Sequence, residues 1–261
     1  MSALTLYDEE QYDKALERAR EYSDEIWERD TQYFENFGDT MVHKAAAAAA
    51  DGTEQLKLLE ELLKLQPDTA MDTTNLGLLP IHLAGISQNL RGAQLLHDVY
   101  PDGVKRRIMG GIHIGGTALH VAVYYADFHT RLDRMLHLVH FLVEKYPEAL
   151  LMRNTCGWTP LDICILLHGG SFDGKSIELI SYLRDKTALL LPHGAEVIRV
   201  ADALEITNRE DGVTTGKITI VMHQAGCSQH QAIWALGKCE ADLMGAVFET
   251  RTEEDFARGV I

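Results

Sequence analysis

Twelve histidines, four cysteines and two glycine-rich stretches are the residues of this chain that could do chemistry. A metal site would need three or four of the first two kinds at ligand spacing. His137 and His140 share a helix face, yet no Asp, Glu or Cys completes a ligand set beside them, and their neighbours Leu136, Val139 and Leu142 are core positions. Gly212-Val213-Thr214-Thr215-Gly216-Lys217 has the outline of a phosphate loop and fails as one. The gap between its glycines is one residue too short, and Ile218 replaces the required Ser or Thr. Gly110-Gly111-Ile112-His113-Ile114-Gly115-Gly116 belongs to a long turn and not to a strand-to-helix dinucleotide site. Cys156, Cys164, Cys227 and Cys239 show no Cys-x-x-Cys spacing, which fits a reduced compartment. No Ser-His-Asp or Cys-His context stands out. The expectation is therefore a protein with no enzymatic activity, cofactor or metal.

The elements that hold these residues repeat. Gly115-Gly116-Thr117-Ala118-Leu119-His120-Val121-Ala122 is echoed by Gly38-Asp39-Thr40-Met41-Val42-His43-Lys44-Ala45, by Gly77-Leu78-Leu79-Pro80-Ile81-His82-Leu83-Ala84 and by Gly157-Trp158-Thr159-Pro160-Leu161-Asp162-Ile163-Cys164. Glycine supplies a positive φ for a tight turn, threonine caps the following helix, and proline suits the first helical position. The apolar residue faces a neighbouring helix, alanine permits close approach, and the buried His can hydrogen-bond the adjoining turn. The successive intervals, Thr40 to Leu79, Leu79 to Thr117 and Thr117 to Thr159, are 39, 38 and 42 residues. A second mark keeps the same register: Pro67, Pro101 and Pro147 each follow an apolar helical stretch. Ten residues separate Pro67 from Gly77 and Pro147 from Gly157, but fourteen separate Pro101 from Gly115, so the middle connection carries a four-residue insertion.

This layout resembles the Thr-Pro-Leu-His-x-Ala signature of ankyrin repeats, in units stretched beyond the usual ~33 residues. The resemblance implies an all-α fold, with about four elongated helix-pair repeats over residues 38–187. Second helices are expected to be lined by Leu56, Leu59, Leu62 and Leu63, by Ala93, Leu95, Leu96 and Val99 with Gly92 as a weak point, and by Leu132, Met135, Leu136, Val139, Leu142 and Val143. Residues 1–37 read as an N-terminal capping helix, with Tyr12, Leu16, Ala19, Tyr22, Ile26 and, after Asp30, Tyr33, Phe34 and Phe37 in phase. Residues 188–211 read as a further capping helix and linker.

Charge narrows the partners. Thirty-nine acidic residues against 24 basic ones give a net charge of −15, which argues against a grip on nucleic acid. The compact basic run Lys105-Arg106-Arg107 lies in the inserted turn. No apolar run reaches the ~18 residues of a membrane helix, and the acidic start is not a targeting segment. A cytoplasmic protein is expected, with the nucleus as the other option.

Beyond Gly212 three short helices are expected at about 216–224, 228–237 and 241–250. Gly212-Val213, Ile218, Val221-Met222, Gln224-Ala225, Ser228, Ala232, Ala235-Leu236, Asp242, Ala246 and Glu249 fall in the order found in the UBA-like domain of the alpha subunit of the nascent-polypeptide-associated complex, which residues 212–261 resemble. The resemblance implies a three-helix docking module for chaperone or nascent-chain partners, although the barrel that joins the subunits of that complex is missing. The wider UBA family binds ubiquitin through a Met-Gly-aromatic loop, and here that loop reads Ala225-Gly226-Cys227.

Together these readings predict a protein-protein interaction adaptor. Its candidate partner contacts are Arg106, Arg107 and His113 in the inserted turn, Trp158 in the next, and Ala225, Gly226 and Cys227 in the UBA-like loop. Its partners are proteins, ribosome-associated or ubiquitin-linked ones among them, with no nucleic acid and no membrane. A ubiquitin-binding adaptor and a purely structural scaffold are the alternatives.

Overall fold

The computed structural model describes residues 1–30, 38–48, 53–126, 132–168 and 174–190. Among these the secondary structure is helical throughout, ten α-helices and five 3₁₀ turns with no strand. Residues 191–261 lie outside the described residues, and with them fall the expected UBA-like bundle, nearly all of the 188–211 linker, and Ala225, Gly226 and Cys227. The chain divides into two compact units, Met1–Pro160 and Leu161–Ile261.

The first unit is built from four helix pairs. They are α1 (Ala3–Asp8) with α2 (Tyr12–Glu21), α3 (Met41–Ala47) with α4 (Thr53–Leu65), α5 (Pro80–Ile86) with α6 (Leu90–Val99), and α7 (Ala118–Tyr124) with α8 (Leu132–Lys145). The first helix of each pair is short. It packs against the first helix of the next pair, α1 on α3, α3 on α5 and α5 on α7, while α2, α4, α6 and α8 pack in the same sequence beside them. A 3₁₀ turn follows every pair: Ser23–Trp27, Pro67–Met71, Pro101–Lys105 and Pro147–Leu151. Proline at the start of the last three suits the first turn, where its missing N–H is not needed.

Residues 1–30 depart from the single capping helix expected over 1–37, of which Tyr33, Phe34 and Phe37 lie outside the described residues. Glu10 adopts φ +60°, and the Glu10 and Gln11 amides close back on Tyr7 and Leu6, which ends α1 and turns the chain into α2. The Ser2 side chain caps α1 by accepting from the Thr5 amide. Ser2-Ala3-Leu4-Thr5 thus occupies the places of Thr117-Ala118-Leu119-His120, 38 residues ahead of Thr40, with both polar side chains shortened. Four ion pairs tie this block together and onto the next pair. Arg18 meets Glu25, Arg20 meets Glu61, and Lys44 Nζ lies 2.6 Å from Asp8 and 2.7 Å from Asp30.

Three core expectations are corrected. On α6, Ala93 and Leu96 are buried as expected, but Leu95 is only partly buried and Val99 is 39% exposed. On α4, Leu58 is buried and Leu56 only partly, because α4 lies between α2 and α6; Leu58 lines a groove with Tyr12 and Leu16 of α2. Gly92 is no weak point. The buried Asn89 caps α6 by accepting from the Gly92 amide at 2.9 Å while its Nδ2 donates to Ala46 O in the preceding pair, and a Cβ at Gly92 would lie 2.6 Å from that amide group. On α8 the expected Met135, Leu136, Val139, Leu142 and Val143 are buried, joined by Leu138. In the second unit, Leu161, Ile163, Cys164, Ile165 and Leu166 of α9 (Pro160–His168) and Leu179 and Leu183 of α10 (Gly174–Leu190) are buried.

The four repeat glycines, Gly38, Gly77, Gly115 and Gly157, all have positive φ, between +67° and +81°. Their surroundings differ. A Cβ on Gly77 would lie 2.6 Å from the Met109 Cβ of the following turn, whereas one on Gly157 would meet nothing within 4 Å. Alanine at position 157 therefore carries the left-handed backbone cost alone, about 1 kcal/mol. Gly77→Ala adds steric overlap and is expected to cost about 3 kcal/mol. Urea denaturation of the two variants checks this, and equal losses would mean that successive turns do not press on each other.

Candidate protein-interaction site

The candidate site grows out of the joint that starts each short inner helix. Thr40, Leu79 and Thr117 are extended N-caps, and the third helical residue after each is a buried histidine. Its Nδ1 accepts from the N-cap amide, at 3.2 Å for His43, 2.9 Å for His82 and 3.1 Å for His120. The other ring nitrogen reaches the following unit: His82 Nε2 donates to Arg106 O at 3.1 Å, and His120 Nε2 to Met152 O at 3.2 Å and Trp158 O at 3.3 Å. This pattern assigns the neutral, Nε2-protonated tautomer. The Nε2 of His43 faces the equivalent carbonyls of Asp72 and Leu78 but stops short of a hydrogen bond of ordinary geometry. Burial pushes His43, His82 and His120 down to about 4.

A turn precedes each of Leu79, Thr117 and Thr159. Thr74 N donates to Leu78 O and Asn154 N to Trp158 O, both at 2.9 Å, across four residues. The middle turn is closed by Ile108 N on Gly116 O at 2.9 Å and Gly115 N on Ile108 O at 2.8 Å, so the four inserted residues lengthen this turn and leave the register intact. The 3₁₀ turn Gly111–His113 lies within it. Neighbouring turns touch. Thr155 N and Oγ1 donate to Ile114 O at 3.2 and 2.8 Å, and Arg107 Nη1 donates to Arg153 O at 3.1 Å. One unit earlier, Arg29 Nη1 donates to Gly38 O and to Thr73 O at 2.8 Å while its Nη2 meets Asp72 at 2.7 Å.

Behind the middle turn lies an apolar face. Buried Leu78, Ile108 and Val121 are flanked by partly buried Leu76, Leu83, Ile86 and Tyr125. His113 packs edge-on against Tyr124 and Tyr125, with ring centroids 4.7 and 5.2 Å away, and its Nε2 is hydrogen-bonded to Tyr125 Oη at 3.0 Å. Burial lowers its pKa to about 4, so the ring is neutral at ordinary pH.

Of the sequence candidates, Arg106, Arg107, His113 and Trp158 come together on these adjoining turns. Arg106 and Arg107 are exposed, the latter clamping the next turn through Arg153. His113 is half-buried and anchors the insertion to the inner-helix face, and Trp158 is half-buried with its carbonyl accepting from Asn154 and His120. Sequence reasoning missed Met109 in the longer turn, which is 74% exposed, and Ile114 and Leu151, 39% and 40% exposed. Their signal was position alone, since a large apolar residue in a turn reads equally as core. The exposed His137 and His140 lie on α8; among the described residues no group of three His, Cys, Asp or Glu could hold a metal ion. No helix of the described residues is long and apolar enough to cross a membrane.

The buried rings make stability depend on pH. The unfolded chain takes up these protons near pH 6.5 and the folded chain not until about pH 4, so their contribution is complete above pH 6.5 and is lost as pH falls toward 4. Each ring is worth on the order of 3 kcal/mol across that window. The melting temperature is expected to fall between pH 6.5 and 5, above the range where carboxylates titrate, and His82→Gln should flatten that fall; a flat profile down to pH 5 would overturn the assignment of neutral buried rings. The sequence matches no protein-family model, and no curated protein matches it.

Proposed function

We propose that this chain is a non-enzymatic adaptor for protein-protein interaction. In this reading an ankyrin-type solenoid docks a protein partner, and a UBA-like module over residues 212–261 docks a chaperone or nascent-chain-linked one. The observation that carries it is the recurrence of one joint, a glycine at positive φ, an extended N-cap and a buried histidine, at Thr40, Leu79 and Thr117. The joint spends its polar groups on holding successive helix pairs in register. What remains variable are the turn tips and the inner-helix face, which is how repeat proteins present a docking surface. The helix pair at residues 3–21 extends the same geometry to the start of the chain and supports this reading further. The UBA-like assignment rests on the sequence resemblance, and a second module tethered to the first would raise the effective concentration of a shared target.

A photo-crosslinking residue placed at position 109, exposed in the longer turn, and at position 57, exposed on α4, tests the docking face in the full-length chain. Discrete partner adducts are expected from 109 and not from 57. Indistinguishable adducts from both positions would sink the proposal, and ribosome co-sedimentation of the chain with and without residues 212–261 tests the second module separately.

A further inference from the structure

The charge of the chain is unevenly spread. Of its 39 acidic residues, none lies in Gly103–Ala126 or in Ala149–Pro160, the two stretches that build the adjoining turns 108–116 and 154–158. The same stretches hold Lys105, Arg106, Arg107 and Arg153. Lys105 lies 2.6 Å from Asp102, the acidic residue just before the first stretch. Arg106 and Arg107 are exposed and have no carboxylate partner among the described residues. The hydrogen bond from Arg107 to Arg153 O holds one guanidinium beside the next turn. The same two stretches expose the apolar side chains of Met109, Ile114 and Leu151.

Single exposed apolar residues are ordinary on any surface. Here Met109 and Ile114 stand on the longer of two turns hydrogen-bonded to each other, with Arg106 and Arg107 just before it and Leu151 before the other, in a molecule of net charge −15. Arginine binds carboxylate through a planar fork, and its positive charge would draw an acidic segment to this place. The negative charge elsewhere on the chain would repel a long polyanion such as nucleic acid. We propose that residues 106–116 and 151–158 dock an acidic segment of a partner protein, its carboxylates on Arg106 and Arg107 and its interspersed apolar side chains on Met109, Ile114 and Leu151. This rests on the docking role proposed above and names the chemistry of the partner.

Fluorescence anisotropy of the full chain tests it. The probe is a labelled synthetic peptide of about twelve residues in which pairs of glutamates alternate with single leucines. Saturable binding is expected at low salt, weakening as ionic strength rises. Arg106→Glu combined with Met109→Ser should weaken it by about tenfold or more, while Arg91→Glu, on the exposed side of α6, leaves it unchanged. Absence of saturable binding, equal weakening by Arg91→Glu, or equal affinity for a lysine-leucine peptide or for single-stranded DNA of the same charge would each overturn the assignment. Partner adducts from position 109 together with a silent peptide would refute the acidic segment and leave the docking role standing; failure of both experiments would remove both.

Discussion

Register between successive helix pairs depends on a neutral imidazole buried at the start of α3, α5 and α7. A buried polar ring is costly unless both nitrogens are satisfied. Here one nitrogen takes the free N-cap amide of its own helix, and at His82 and His120 the other supplies a carbonyl of the following unit. Removing the ring would strand an amide and a carbonyl as well as opening a cavity. The same ring cannot be charged without losing its acceptor, so the joint and the proton compete for one lone pair.

The joint weakens toward the N-terminus, and charge replaces it. His43 lacks a well-formed bond to the next unit, and the first pair has Thr5 in its place. Around these positions Lys44 bridges Asp8 and Asp30, and Arg29 spans Gly38, Thr73 and Asp72. Burial disfavours the Lys44 ammonium, but the two carboxylates more than offset it and its pKa lies above the ordinary value. Partly buried ion pairs with several partners give more than isolated surface pairs do. The first layer is thus held by long side chains reaching across, where later layers are held by rings at close range.

Side chains also decide where the backbone bends. Glu10 and Gln88 are not glycine, yet both sit at positive φ as the residue that ends a short inner helix. At Gln88 the side chain explains the tolerance: it is buried and its amide donates to Tyr125 O in the next pair. The backbone cost of about 1 kcal/mol is offset by a contact between layers.

Local chemistry was legible in the sequence. Glycine at positive φ, a cap, a histidine three residues on and a proline turn are short-range features, and the extra length of the middle connection could be counted directly. The first helix pair was hidden because Ser2 and Thr5 do the work of threonine and histidine with smaller groups, so pattern matching found no signature there. Which face of α4 would be buried, why Gly92 must lack a side chain, and which arginine would clamp a neighbouring turn were decided by partners about forty residues away. The sequence by itself determined the repeating units and their phase, because caps and turns are made by neighbours in the chain. Tertiary structure decided what covers each unit and which side chains are left at the tips, because burial is a property of the stack and not of any residue's own surroundings.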